Sequence, residues 1–194
     1  MDDQQILNAP AALPAIRRDT ARIGFTMASE PQTGALLRTL AASKPGGQFL
    51  ELGTGTGVGT AWLLAGMDSA SRLDSVESDP HALAIAQEQL GPDQRVTFHL
   101  ADAAVFLAHA PQSHFDFIYA DTWPGKFTHL DLALSLLRPG AIYFIDDLLP
   151  QPSWPEDHFP KVPPLIADLE SRPGFVVTKL AWATGLMIVV RTTG

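Results

Sequence analysis

The 194-residue sequence predicts an α/β fold: a doubly wound, mostly parallel sheet of seven strands, finished by a C-terminal antiparallel hairpin. Three observations carry that expectation. Short apolar runs alternate with helical patterns between Gln48 and Ile145, which calls for right-handed crossovers and helices on both faces of a parallel sheet. A turn rich in glycine stands directly behind the first apolar run, in the stretch FLELGTGTGVGTAWL. Two apolar runs near the end, at 175–181 and 186–191, are separated by a short turn at Ala183-Thr184-Gly185, and strands so close in sequence pair antiparallel.

The elements follow in order. Residues 10–43 read as helical: Ser29 supplies a cap, Pro31 fits a first turn, and Leu36, Leu37 and Leu40 recur at helical spacing. Gln48–Leu52 is a short buried strand and 60–67 a helix. Arg72–Glu77 is a strand, after which Asp79 caps a helix with Pro80 in its first turn and a stop at Gly91. A strand at 95–100 leads to Asp102, the cap of a short helix. Phe115–Ala120, FDFIYA, is an apolar strand, and a helix over about 130–137 is broken by Arg138-Pro139-Gly140 before a strand at 141–145. Six prolines between 150 and 164 argue against regular structure there. A helix at 164–170 precedes the hairpin. The whole reads as one domain, 1–194, with a helical cap at 1–45 and a ligand-binding core at 46–194.

Charge and composition exclude several classes. The net charge is −8, and the basic residues are scattered, with Arg17, Arg18 and Arg22 as one local group suited to the wet face of a helix. Without a basic stripe no nucleic-acid partner is expected. No uncharged apolar run reaches the roughly 18 residues of a membrane span, and the start MDDQQILNAP has the wrong charge for a secretory signal, so a soluble, cytoplasmic protein without a membrane partner is expected. The absence of cysteine rules out disulfides, thiolate metal sites and a thiol nucleophile.

The glycine turn asks which ligand the backbone is built to approach. A dinucleotide fingerprint needs a third glycine where Val58 or Thr60 stands, and a triphosphate loop needs a lysine, yet none lies between Lys44 and Lys126. What remains is acid-x-Gly-x-Gly-x-Gly, from Glu51 through Gly53 and Gly55 to Gly57. A carboxylate beside such a turn suits a ligand with a cationic end and no phosphates, and S-adenosylmethionine is one.

On these residues the chain resembles the class I S-adenosylmethionine-dependent methyltransferases, and most of all the small O-methyltransferases of the catechol and caffeoyl-CoA type. The resemblance runs from about Ser29 onward and implies a Rossmann-like sheet. SVESDP places Glu77 where the family holds both ribose hydroxyls, a match of two carboxylate oxygens to two vicinal donors. HLADAAVFL places Asp102 and Ala103 at the adenine end. FDFIYADTWPGKF places Asp121 after the fourth strand, and LLRPGAIYFIDDLL resembles the family's fifth-strand signature, with Asp146 and Asp147 at its tip. The implied cofactor site is therefore Glu51, Gly53, Thr54, Gly55, Gly57, Glu77, Asp102, Ala103 and Asp121. Taken singly, Glu77 also reads as an exposed strand-end acid and Asp102 as a plain helix cap.

The resemblance further implies chemistry. Metal-using relatives supply two aspartates and an asparagine, so Asp121, Asp146 and Asp147 are a candidate oxygen site for a divalent cation of the magnesium type. The alternative has Asp121 holding the cofactor's methionine end or capping a loop, and Asp147 pointing to solvent. Relatives carry a lysine three residues after the fourth-strand acid; here that position is Pro124, and Lys126 lies five residues after Asp121. Lys126 and Asp121 are the catalytic candidates, Lys126 to assist deprotonation or orient the acceptor, against the alternative of a solvated loop lysine. His129 and His158 are weaker candidates, and His81, His99, His109 and His114 read as surface histidines. Trp123, Trp154 and Phe159 offer an apolar wall for a flat acceptor, or anchors for a loop. The expected activity is O-methylation of a small hydroxylated, phenolic acceptor, with a homodimer left open. Rival readings are N-methylation, an adenosyl-binding protein without turnover, and, disfavoured by Val58 and Thr60, a nicotinamide-dependent oxidoreductase.

Overall fold

The computed structural model describes Ile6, residues 8–151 and residues 154–192. Asp2 and Asp3, on which the N-terminal charge reading rests, lie outside them, as do Pro152 and Ser153. A strand covered on both faces needs apolar side chains on both, and β1 (Gln48–Leu52) supplies Phe49, Leu50 and Leu52, each fully buried. It pairs in parallel with β2 (Arg72–Glu77) on one side and β4 (Phe115–Ala120) on the other. β3 (Val96–Leu100), β5 (Leu137–Ile145), β6 (Phe175–Leu180) and β7 (Leu186–Arg191) complete a seven-stranded sheet in the order β3-β2-β1-β4-β5-β7-β6. β7 runs antiparallel to both of its neighbours, as the hairpin reading requires.

Alternation along the strands divides the core. Phe49, Phe117 and Phe144 point to the face covered by α1 (Leu13–Arg22), α2 (Pro31–Ala42) and α3 (Val58–Gly66), with Leu90 of α4 (Pro80–Leu90) joining them. Leu50, Ile118, Tyr143 and Ile145 point to the face covered by α5 (Ala103–His109), α6 (Leu130–Ser135) and α7 (Val162–Ser171). The order of strands reverses between β1 and β4, since β2 and β3 lie on one side of β1 and every later strand on the other. Such a reversal leaves a crevice at the carboxyl ends of the two strands.

Local differences from the sequence reading have physical causes. α3 begins at Val58 rather than 60 because Gly57, at φ +94°, caps it in the left-handed region. α6 stops at Ser135, and Arg138-Pro139-Gly140 is not a spacer but part of a nine-residue β5, whose register to β4 shifts between Phe115 and Phe117. Proline and glycine broke the helix as read; a bulge then admits them into the strand. The proline-rich segment is not wholly irregular: a 3-10 turn occupies Phe159–Lys161, and α7 starts at Val162 with prolines in its first turn, where no N–H is needed. α2 is capped by the extended backbone of Glu30, not by Ser29, whose hydroxyl is used elsewhere. β3 starts and β6 ends one residue inside the expected limits. Arg18 and Arg22 are exposed and pair with the buried Asp19.

Candidate active site

Backbone sterics position the glycine turn. Gly53 sits at φ +97°, and a Cβ there would lie 2.8 Å from the Asp121 carbonyl oxygen, so only glycine lets the end of β1 pass the end of β4. The Gly53 and Thr54 amides donate to the Val76 carbonyl at 3.0 and 3.1 Å. The Gly55 amide donates to Glu77 Oε2 at 2.8 Å, while Glu77 Oε1 accepts from Ser78 and Asp79 amides at 2.8 and 2.9 Å. The half-buried Glu77 carboxylate thus locks the turn to the end of β2.

Glu51 lies beneath the turn. It is fully buried, and its Oε2 accepts from the hydroxyls of Thr60 and Ser75, the latter at 2.6 Å. Oε1 has no partner, and a Cβ on Gly59 would come within 2.6 Å of it. Burial pushes the Glu51 carboxyl up to about 7, against the lowering effect of the Ser75 and Thr60 hydroxyls.

At the ends of β4 and β5, Tyr119 brings two aspartates together. Its buried hydroxyl lies 3.0 Å from Asp121 Oδ2, 3.2 Å from Asp146 Oδ2 and 3.0 Å from Ser29 Oγ. Asp146 Oδ1 accepts from the Thr184 hydroxyl and from the Asp147 amide at 2.7 Å. Burial, then the neighbouring aspartates, raise both carboxyls: Asp121 well above the usual range, Asp146 to about 6. Burial and the charges of Asp121 and Asp146 also hold the Tyr119 hydroxyl protonated. Asp147 adopts φ +61°.

Lys126 is 2 % exposed, which removes the solvated-loop alternative. The chain bends at Gly125, φ +92°, and Lys126 Nζ donates to the Asp146 carbonyl at 3.0 Å. His158 is buried too. Its ring stacks on Trp154 with centroids 3.8 Å apart, meets Phe127 edge-on at 4.9 Å, and sets Nε2 3.3 Å from the Asp147 carbonyl. Burial lowers its basicity, so the ring is neutral at pH 7.

One cavity of about 440 Å³ gathers much of the expected site: Gly53, Thr54, Gly55, Glu77, Asp121, Lys126, Asp146 and Asp147 all line it, with Trp123, Trp154 and His158. Four expected residues do not. Glu51 is turned inward, and Gly57 packs against Ala86 of α4. Asp102 is exposed and caps α5 through the Ala104 amide at 2.7 Å, and Ala103 is buried in the core on the α5 face. Phe159 is half exposed and lies outside the lining, and His129 is exposed. Tyr119 and Thr184 were missed by the sequence reading, whereas Ser29 and Glu30 lie in GFTMASEP, residues 24–31, a loop it singled out for substrate recognition. A tyrosine inside FDFIYA was the available signal, because a buried hydroxyl needs a partner.

The oxygen chemistry of Asp121, Asp146 and Asp147 suits a hard cation, but their arrangement does not fit one as it stands. Both Asp146 oxygens are engaged by hydroxyls and an amide, Tyr119 stands between Asp146 and Asp121, and among the described residues no three histidine or acidic side chains group to hold a metal.

Residues 50–148 match a family model described as a methyltransferase domain. A catechol O-methyltransferase of Niastella koreensis is 30 % identical over 146 residues, 71 % of this chain and 66 % of that protein. A relative in Mycolicibacterium paratuberculosis is 29 % identical over 145 residues, 72 % of this chain but 64 % of its own length. The chain therefore spans just under two thirds of these relatives. Among solved structures, the O-methyltransferase TomG from Streptomyces achromogenes in complex with SAM superposes with a TM-score of 0.81 at 24 % identity, covering 94 % of this chain and 90 % of TomG. The O-methyltransferase of Bacillus cereus in complex with SAH gives 0.81 at 20 % identity over 96 % and 93 % of the two chains. At such identities the likeness establishes the fold.

Proposed function

Given that the chain belongs to the methyltransferase-domain family, we propose that it binds S-adenosylmethionine and transfers its methyl group to a hydroxyl oxygen of a small phenolic acceptor. The observation that carries this reading is the single cavity in which the glycine turn and Glu77 meet the Asp121–Asp146–Lys126 cluster. The bare turn admits the cofactor's methionine and ribose portions, and Glu77 takes the ribose hydroxyls while keeping its backbone donors. The acids at the ends of β4 and β5 surround the cationic sulfonium. Asp102 and Ala103 lie beyond the cavity lining, at the end of β3, where the adenine would extend.

In the reaction the carbon–sulfur bond breaks as a carbon–oxygen bond forms, the sulfonium becomes a thioether, and the acceptor's proton is released to bulk water. Alignment of donor and acceptor is the main requirement, and it can supply about 7–11 kcal/mol of barrier reduction in well-oriented systems. A phenol ionises near pH 10 and needs help at neutral pH. Lys126 is committed as a donor to the Asp146 carbonyl, so its part is to stabilise the developing phenolate and orient it, rather than to take the proton.

Calorimetry with S-adenosylhomocysteine, followed by a labelled-methyl assay over a phenol panel, tests the reading. Binding of the product and label in a phenol are expected; firm uptake of NADH with no response to either adenosyl compound would overturn it. Replacement Lys126→Met is expected to lower kcat by about 10²-fold or more, as for loss of other charge-stabilising donors, with product affinity kept within a few-fold.

A further inference from the structure

The charges around the cavity are one-sided. Glu30, Glu77, Asp79, Asp121, Asp146 and Asp147 all line it. Lys126, which donates to the Asp146 carbonyl, and His158 are the basic side chains that line it. A bound sulfonium cofactor adds one net positive charge, and burial raises the carboxyls of Asp121 and Asp146, so the remaining acidic excess is that of Glu30, Glu77, Asp79 and Asp147. Two aromatic rings, Trp123 and Trp154, line the same space, and flat apolar surfaces favour a flat partner.

A hollow on the far side of Lys126 is the obvious place for an acceptor's tail, since Lys126 lines it too. Its basic side chains already have partners. Arg172 pairs with Asp168 and Asp131, Lys161 with Asp157, and His129 Nδ1 contacts the Thr128 hydroxyl at 3.1 Å. Among the described basic side chains that border either space, Arg172 and Lys161 are ion-paired and Lys126 is directed to the acceptor's reacting oxygen, so none of these three is set aside for an anionic arm. Glu30 is the reverse case. It is exposed at the start of α2, lines the cavity, and its carboxylate caps no backbone amide and has no ion-pair partner among the described residues.

We infer that the acceptor is a flat hydroxylated aromatic carrying no anionic group, and that Glu30 at the cavity rim enforces this by repelling carboxylate- or phosphate-bearing relatives of that acceptor. The inference rests on the methyltransferase reading and narrows it. Like charges brought together without a counter-ion cost free energy at encounter and in the complex, and an exposed carboxylate acts over a Debye length of about 8–10 Å at ordinary salt.

The test uses three catechols with one ring and different arms: 4-propylcatechol, 4-(2-aminoethyl)catechol and 3,4-dihydroxyphenylacetate. Their affinities for the protein loaded with S-adenosylhomocysteine are measured beside kcat/KM with S-adenosylmethionine. The ammonium and propyl arms are expected to exceed the carboxylate arm by about tenfold at low salt, with the gap narrowing as ionic strength rises. Glu30→Gln is expected to narrow the gap severalfold and Glu30→Lys to narrow it further. Equal or better use of the carboxylate arm, a gap indifferent to salt and to both Glu30 variants, or failure of all three arms to bind the loaded protein would each overturn the inference while leaving cofactor binding intact. Failure to bind S-adenosylhomocysteine itself would instead overturn the methyltransferase reading, and this inference with it.

Discussion

Gly53 joins a backbone requirement to a site requirement. Its φ of +97° and the 2.8 Å approach of a hypothetical Cβ to the Asp121 carbonyl leave no room for alanine. Gly53→Ala is therefore expected to lower both thermal stability and affinity for S-adenosylhomocysteine, read by calorimetry, because the turn cannot relax without moving Asp121. Glu51 supplies the pH dependence. Its carboxyl titrates near 4.5 when exposed and near 7 in the folded chain. Below 4.5 both states hold the proton and the residue contributes nothing to the difference. Between 4.5 and 7 the unfolded chain releases it while the folded chain keeps it, so stability falls as pH rises, by on the order of 3 kcal/mol in total, and levels off above 7. Glu51→Gln removes this slope. The midpoint of the variant minus that of the wild type should become more positive from pH 5 to pH 8 by differential scanning calorimetry; an unchanged difference would show that Glu51 does not carry it.

Among the elements, the segment between α1 and α2 has the most to do with the site. Phe25, Met27 and Ser29 from it line the cavity, and Ser29 ties it to Tyr119 at 3.0 Å and Asp121 at 3.4 Å. Loss of the tie by Ser29→Ala is expected to raise the KM for S-adenosylmethionine several-fold with a smaller change in kcat, and to speed limited proteolysis at 24–30. Much of this level was legible in the sequence. Gln48–Leu52, Arg72–Glu77, Phe115–Ala120 and Leu186–Arg191 fall where they were read, because short apolar runs bounded by polar or turn residues leave little freedom. Arg138-Pro139-Gly140 was not legible: it stops a helix by its chemistry and joins a strand through pairing with β4, which no local pattern states. The site divides the same way. Strand-end acids could be read from position, whereas the hydroxyl of Tyr119, the orientation of Glu51 into the interior and the burial of Lys126 depend on which side chains meet across β1, β4 and β5.

Across the whole molecule, stability and function share the sheet's central strands. Phe49, Phe117 and Phe144 face one another across β1, β4 and β5, with centroids 5.6 and 6.3 Å apart, and Tyr119 continues the row 5.7 Å from Phe144. Phe117 is wholly buried. Phe117→Ala is expected to cost about 3–5 kcal/mol, a large share of the 5–15 kcal/mol typical of a domain, and urea titration would show it as a shifted midpoint with little change in slope. The position of β7 carries a different consequence. β6 pairs with β7, which itself pairs with β5. In chain order β6 therefore precedes the strand that joins it to the sheet, and β5 keeps an open edge until residues 186–191 slot between the two.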